Sequence, residues 1–468
     1  LDSLSSSYKT IWKLAWPQVL MMLFHFLIGF VDIWVAGRLG REVQASMGII
    51  TQALFFFLVV AIALANGSVA AISQSMGAGL IRRVQRYIGL GLEIGVILGF
   101  IFLVAGMLFR DAFLDLLQIP EEMMPVAAYL LKVYLYILPA YYLLIICNAF
   151  FRAQKKVMYP LFAMMIVTAV NTFGDFAFAL GMWGFPDFGY KGLAWSTFVS
   201  VLCGMLFCLA VLYKQGYLKR KSFAPWRWVK RAFPYLFKVA WPAGLMQVVW
   251  HSAYMVLYAI TAALPVGSVI ALAGMSAGIR VESMLFLPGF AFNLTASILV
   301  GNILGQGDIK AAKRMGYLVM LLGLGLVSTF TLVLWLFIEP VASFIAPDPE
   351  VSLEAVNYLK YNMAAIPFLL VSMILGGALT GAGATFYQMI VMGSSAWLIR
   401  LPLAWYLGHV HMEEATGIWL AMFISMVVQA MLMLYFYQFK DWTRFSMRKG
   451  RRLTPANDFA INKLKAGK

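Results

Sequence analysis

Apolar residues do not alternate along this chain; they run on. Stretches of about 20 residues or longer, parted by short polar segments, recur from one end to the other. Runs of that length predict membrane-crossing helices, because hydrocarbon leaves backbone groups no partner but one another. The alternation that a barrel needs is absent. The pattern predicts twelve spans, at about 11–36, 45–75, 87–109, 125–151, 158–182, 191–213, 237–263, 269–303, 314–338, 355–379, 386–408 and 416–438. Spans 2 and 8 are longer than a bilayer needs, so they are expected to tilt or project.

The polar segments between the runs differ in sign. Arg82, Arg83 and Arg86 follow span 2, and Arg152, Lys155 and Lys156 follow span 4. Lys219, Arg220, Lys221, Arg227, Lys230 and Arg231 follow span 6, Lys310, Lys313 and Arg314 follow span 8, and the tail is basic. The other set of segments holds twelve of the twenty carboxylates. Basic segments stay on the cytoplasmic side, so both termini are expected inside a cell (inner) membrane.

The chain also repeats itself. Ala15-Trp16-Pro17 returns as Ala240-Trp241-Pro242, and Gly77-Ala78-Gly79 as Gly305-Gln306-Gly307. Pro139 returns as Pro367, and Gly192 as Gly417, always at an offset of 225 to 228 residues. Six is even, so both halves keep one orientation. The expected fold is an all-α membrane protein of two six-helix lobes related by a pseudo-two-fold axis along the membrane normal. Its parts are an N-terminal lobe at 1–213, a basic cytoplasmic linker at 214–236, a C-terminal lobe at 237–440 and a basic tail at 441–468.

Composition agrees: 62% of the 468 residues are hydrophobic and 12% charged, roughly half the charged share of a soluble domain. The net charge of +16 lies in the inter-span segments, so it reads as topology and not as a nucleic-acid surface. Cys147, Cys203 and Cys208 all fall inside apolar runs, as small packing residues. No phosphate-binding glycine loop, zinc-protease helix or nucleophile elbow is present, which argues against an ATP-driven pump and an enzyme. No cofactor or metal is expected. His409, His411 and Glu413 have suggestive spacing but fall in a polar outer segment.

Four acids stand inside spans: Asp32, Glu93, Asp175 and Glu282. Asn171 and Asp175 share one face of span 5, four residues apart. With Asp32 they form a candidate polar cluster, which Thr197 and Ser196 of span 6 extend. Two carboxylates in a low dielectric resist being charged together, so such a cluster can exchange H⁺ or hold Na⁺. The structural alternative is a network that pins spans 1 and 5. The second half has no acid opposite Arg400, the counterpart of Asp175, so acidic ion coupling belongs to the first half. Glu282 beside Arg280 suggests a structural ion pair, and Gly91, Gly95 and Gly99 a packing stripe next to Glu93. His251 is expected to be a packing residue. Candidates for lining a substrate path are Gln52, Asn66, Tyr134, Tyr136, Tyr141, Tyr142, Gln247 and Tyr254.

Several ordered pieces resemble the multidrug and toxic compound extrusion (MATE) family, and the likeness covers all twelve spans. They are Trp16-Pro17, Val31-Asp32 with Ala36-Gly37-Arg38-Leu39-Gly40, Ser73-Gln74 with Gly77-Ala78-Gly79, Ile279-Arg280-Val281-Glu282-Ser283 with Pro288-Gly289-Phe290, and Gly301 with Gly305-Gln306-Gly307. Within the family the chain looks like the DinF-like prokaryotic branch. That resemblance implies a first-lobe ion site at Asp32, Asn171, Asp175 and Thr197, and Pro17 as the place where span 1 bends. The branch with second-lobe acids has a Glu near the place of Trp250 and an Asp in span 10; this chain has neither. Span 4 also ends Ala153-Gln154-Lys155 where the repeat has Gly381-Ala382-Gly383. The resemblance implies a monomeric antiporter in the lipid bilayer. It would expel organic, cationic amphipathic compounds in exchange for H⁺ or Na⁺. A lipid or lipid-linked saccharide flippase of related architecture is the alternative, disfavoured by the few basic residues in mid-span; a membrane enzyme or sensor is a more distant one.

Overall fold

A computed structural model describes residues 2–447 except 118, 220, 221 and 347. Part of the basic tail, 448–468, therefore lies outside the described residues. Among the described residues twelve helices are long and apolar enough to cross a membrane. They are Ser7–Leu39, Arg41–Gly77, Ile81–Leu108, Met124–Ala153, Met158–Ala179 and Tyr190–Lys214, then Trp226–Ala262, Ser268–Gln306, Ile309–Leu336, Pro349–Ala382, Thr385–His411 and Ala415–Phe439, numbered spans 1 to 12. Spans 2 and 8 have 37 and 39 residues. At about 1.5 Å per residue each exceeds the roughly 30 Å hydrocarbon layer.

The largest boundary difference from the sequence reading is at span 7. Span 7 begins at Trp226, not 237, so it takes up the second half of the expected 214–236 linker. Pro225, extended at φ −62 and ψ 145, sits just before the helix, and Trp226, Val229 and Phe233 recur at helical spacing among the basic residues. Charge hid that helical period.

The buried apolar side chains form two large clusters. One runs from Val35 to Leu236. The other runs from Ala253 to Trp442 but also takes in Ile11, Leu14 and Ala15. Span 1 thus starts in the packing of the second lobe and ends in that of the first. Pro17 lies between, inside an unbroken helix. Next to it, Gln18 Nε2 donates to Thr295 Oγ1 of span 8 at 2.8 Å.

Glycines set the closest approaches. A Cβ on Gly91, Gly95 or Gly99 would meet Phe150, Ile146 or Pro139, so the stripe seats span 3 on span 4. Between the lobes the fit is tighter. A Cβ on Gly77 would stand 1.8 Å from Asn302 O, and one on Gly305 2.1 Å from Gln74 O. Gln74 Nε2 donates across to Gly381 O at 2.9 Å. The lobes are therefore shut against each other at the end of spans 2 and 8 that the basic segments follow. Towards the other end Gln52, Phe56, Met255 and Met284 are exposed.

The repeat has a conformational basis. Gly79 and Gly307 both take left-handed backbone (φ 72 and 93) in the turn after their spans. Gly383 does the same after span 10 (φ 82), and its repeat partner Lys155 is held at φ 62. An L side chain there costs about 1–2 kcal/mol. Lys155→Gly is expected to raise stability by about 1 kcal/mol in a detergent unfolding series. No gain would mean that the lysine side chain offsets its own strain.

Candidate functional site

Asp32 stands near the end of span 1, 7% exposed, and Asp175 in span 5 is fully buried. Asn171, one turn before Asp175, joins them. Its Nδ2 donates to Asp32 Oδ1 at 2.6 Å and to Asp175 Oδ2 at 2.9 Å. An amide has two N–H groups, so one nitrogen serves both carboxylates. Ser196 Oγ donates to the other oxygen of Asp175. Ser200 Oγ lies 3.2 Å from Asn171 Oδ1 and fixes which way the amide points.

Local structure makes this geometry. Span 5 winds as a π-helix from Asp175 to Ala179, a feature that often marks functional sites. Gly174 lets span 6 come close: a Cβ there would meet Ser196 Cβ at 2.5 Å. Gly192 packs against the π-helical turn itself, where a Cβ would stand 2.3 Å from Phe178 O. A cavity of about 620 Å³ lined by Phe173, Phe178, Trp195 and Ser196 reaches the same wall.

The site is acidic without a counter-charge. Its donors are an amide and a hydroxyl, both neutral. Among the described residues the only ion pair joins Arg110 to Asp111, far along the sequence from either acid. Two carboxylates that share one neutral donor in a buried setting are stable when a proton or a metal cation joins them.

Three of the four residues expected at the ion site come together. Thr197 makes no hydrogen bond to either acid. Its Oγ1 donates to Leu193 O at 3.1 Å, within its own helix. The hydroxyl that reaches Asp175 is that of Ser196, one residue earlier and about 100° round the helix. Ser200 was not foreseen, although it is four residues on from Ser196 and shares its face. Ser196→Ala should leave a buried carboxylate oxygen short of a donor, worth about 1–3 kcal/mol. We expect the ion concentration for half-maximal transport to fall roughly tenfold, since the bare carboxylate parts less readily with its ion. Thr197→Val should shift it little. Equal shifts would contradict this assignment.

Among the described residues neither Arg280 nor Glu282 forms the ion pair expected of them. The two are two residues apart on one helix and face different ways: Arg280 is exposed and Glu282 buried. Glu282 instead accepts from Tyr358 OH at 2.7 Å. The substrate-path candidates also divide. Tyr134 OH contacts Met47 Sδ and Tyr142 OH donates to Phe57 O, so both buried tyrosines tie span 4 to span 2 and do not line an open path in this state. Gln52 and Tyr136 are exposed; Asn66, Tyr141, Gln247 and Tyr254 are half-buried. His251 packs on Phe55, with ring centres 4.2 Å apart, and its Nδ1 lies 2.9 Å from Gln247 O. His409 Nε2 lies 2.9 Å from Ile260 O, and His411 stacks on Tyr406.

Known proteins give a consistent frame. The family profile described as MatE matches residues 17–177 and 242–406. A curated relative, the probable multidrug resistance protein NorM of Thermotoga maritima, is 25% identical over 93% of this chain and 93% of its own. Two solved folds superpose closely. A MATE protein in a bent conformation has a TM-score of 0.85 at 17% identity, covering 98% of this chain and 97% of its own. The Vibrio cholerae MATE transporter VcmN, as an aspartate-to-asparagine mutant, also has 0.85, at 20% identity over 94% and 98%.

Proposed function

From the premise that the chain belongs to the MatE family of multidrug efflux transporters, we propose that it is a cation-coupled antiporter driven through Asp32, Asn171 and Asp175. The family is one of transporters, not enzymes, and its members are ion-coupled. The observation that carries the reading is the single Asn171 amide nitrogen shared by two buried carboxylates with no basic partner. The cargo is an organic, cationic amphipathic compound and the counter-ion is H⁺ or Na⁺. The acid pair that shares one amide lies in the first lobe, which favours the DinF-like branch. We place the protein in the cytoplasmic membrane as a monomer with both termini inside.

The geometry suggests how exchange would run. From the outer side, a cation joins Asp32 and Asp175 and removes the repulsion between them. The end of span 1 then shifts against span 5. That movement passes along span 1 through Pro17 to the Gln18–Thr295 hydrogen bond, which holds span 1 to the second lobe. Substrate binds less tightly to the ion-loaded state, so ion entry drives release. Inside, the ion leaves and substrate binds again.

Efflux of a fluorescent cation from proteoliposomes tests this, with pH and sodium gradients imposed one at a time. One of the two gradients should drive uphill movement. Transport that ignores both, or lipid translocation without drug movement, would defeat the reading and favour the flippase.

A further inference from the structure

The repeat places a second polar cluster at the matching position of the other lobe, with the charge reversed. An offset of 225 carries Asp175 onto Arg400 and Ser200 onto Ser425. A π-helical segment adjoins each position: one begins at Asp175 and the other ends at Arg400. Arg400 is 1% exposed. Its Nε donates to Ser425 Oγ at 2.9 Å and its Nη2 lies 3.4 Å from Met426 Sδ. The guanidinium stands 4.9 Å over the Trp250 ring and 5.7 Å over that of Tyr254. Nη1 is buried with no hydrogen-bond partner.

These contacts do not neutralise it. A hydroxyl, a thioether and two rings leave a buried guanidinium with its full charge. Glu282 is the nearby acid and attracts the guanidinium, yet the two are not within ion-pair distance, and Tyr358 OH holds Glu282 at 2.7 Å. A second observation points to a ligand. Gln429 is fully buried and neither its amide nitrogen nor its oxygen has a partner. It lies one helical turn beyond Ser425, on the same face of span 12.

We propose that the second lobe carries an anion site built on Arg400, which takes a halide or a carboxylate among spans 7, 11 and 12. Nη1 of Arg400 donates to the anion, and Gln429, one turn beyond Ser425 on span 12, supplies a neutral donor. The rings of Trp250 and Tyr254 form an apolar wall that suits a weakly hydrated anion such as bromide, or the carboxylate of an aromatic acid. The site does not depend on which cation the first lobe exchanges.

The test is thermal stability of purified protein at fixed sodium, titrated with chloride, bromide or benzoate against gluconate, which is too bulky and hydrated for this wall. A saturable rise with the small anions is expected, with apparent affinity at least about tenfold weaker in Arg400→Gln. Arg280→Gln, which alters an exposed arginine, should keep the response. Response to both classes means a general anion site, and response to benzoate alone means a site for an organic carboxylate; either supports the proposal. No saturable response, or one that survives in Arg400→Gln, overturns it. Should that variant fail to fold, bromide-soaked crystals of the parent protein decide. An anomalous peak beside Arg400 supports the site, and its absence at saturating bromide overturns it.

Discussion

Asp32→Asn is expected to abolish ion control of substrate binding. In the parent protein the coupling ion should change substrate affinity by roughly 5- to 150-fold, the usual span of a coupling free energy of about 1–3 kcal/mol. In the variant that ratio should fall to about one. The reason lies in the shared amide. Asn171 bonds both carboxylates, so the charge of Asp32 bears directly on Asp175. An asparagine at 32 keeps a hydrogen-bonding oxygen but no charge, so the site is locked in its neutralised form. Substrate binding should stay weak whatever the pH or sodium level, and uphill efflux should cease. Fluorescence titration of a bound cation, with and without the ion, measures the ratio. Asp175→Asn should behave alike, because the two acids act as one unit.

Gly77→Leu is the second large effect, and it acts far from the acids. A Cβ at Gly77 would lie 1.8 Å from Asn302 O, and that atom is backbone, so no side-chain rotation relieves the clash. Overpacking of this kind costs about 1–3 kcal/mol or more. The cost falls only on the state in which spans 2 and 8 touch; the state with this end open escapes it. The variant should therefore fold but stay open at that end, and it should bind substrate without exporting it. Spin labels at Leu80 and Ile309, just beyond the two spans and both exposed, report the change. The distance should lengthen in Gly77→Leu. An unchanged distance with normal efflux would show that the contact is not part of the cycle.

Much of this protein is readable from its sequence, for definite reasons. Hydrocarbon forces helices, so apolar run length alone gives the twelve spans. The repeat is readable because both copies need the same left-handed turns, at Gly79 and Gly307. The acid pair is readable because an isolated charge in a membrane is rare and needs a use. What fails is finer. Nothing in the residue order of Ser196-Thr197 says which hydroxyl faces Asp175; that choice is made by the approach of span 6 over Gly174. The sequence suggests an ion pair for Glu282 but cannot say which residue of another helix faces it. Its partner, Tyr358, is 76 residues away and visible only once spans 8 and 10 are packed. The start of span 7 was masked by charge, because Arg227, Lys230 and Arg231 interrupt an apolar face that begins at Trp226.

The two lobes emerge as unlike halves of a like fold. The first buries an acid pair; the second buries an arginine at the position the repeat makes equivalent to Asp175, with Glu282 buried apart from it in span 8. Span 1 is the element common to both, with Asp32 at one end and the second lobe's packing at the other. That one helix joins the acid pair at one end to the lobe contact at its other end.

The central claim is that Asp32 and Asp175 hold the ion that substrate displaces. Its most direct measurement counts the H⁺ or Na⁺ released when a cationic substrate is added to purified protein in weakly buffered detergent solution. One ion species should be released in proportion to bound substrate, and none from the Asp32→Asn, Asp175→Asn double variant. Equal release from the double variant would contradict it.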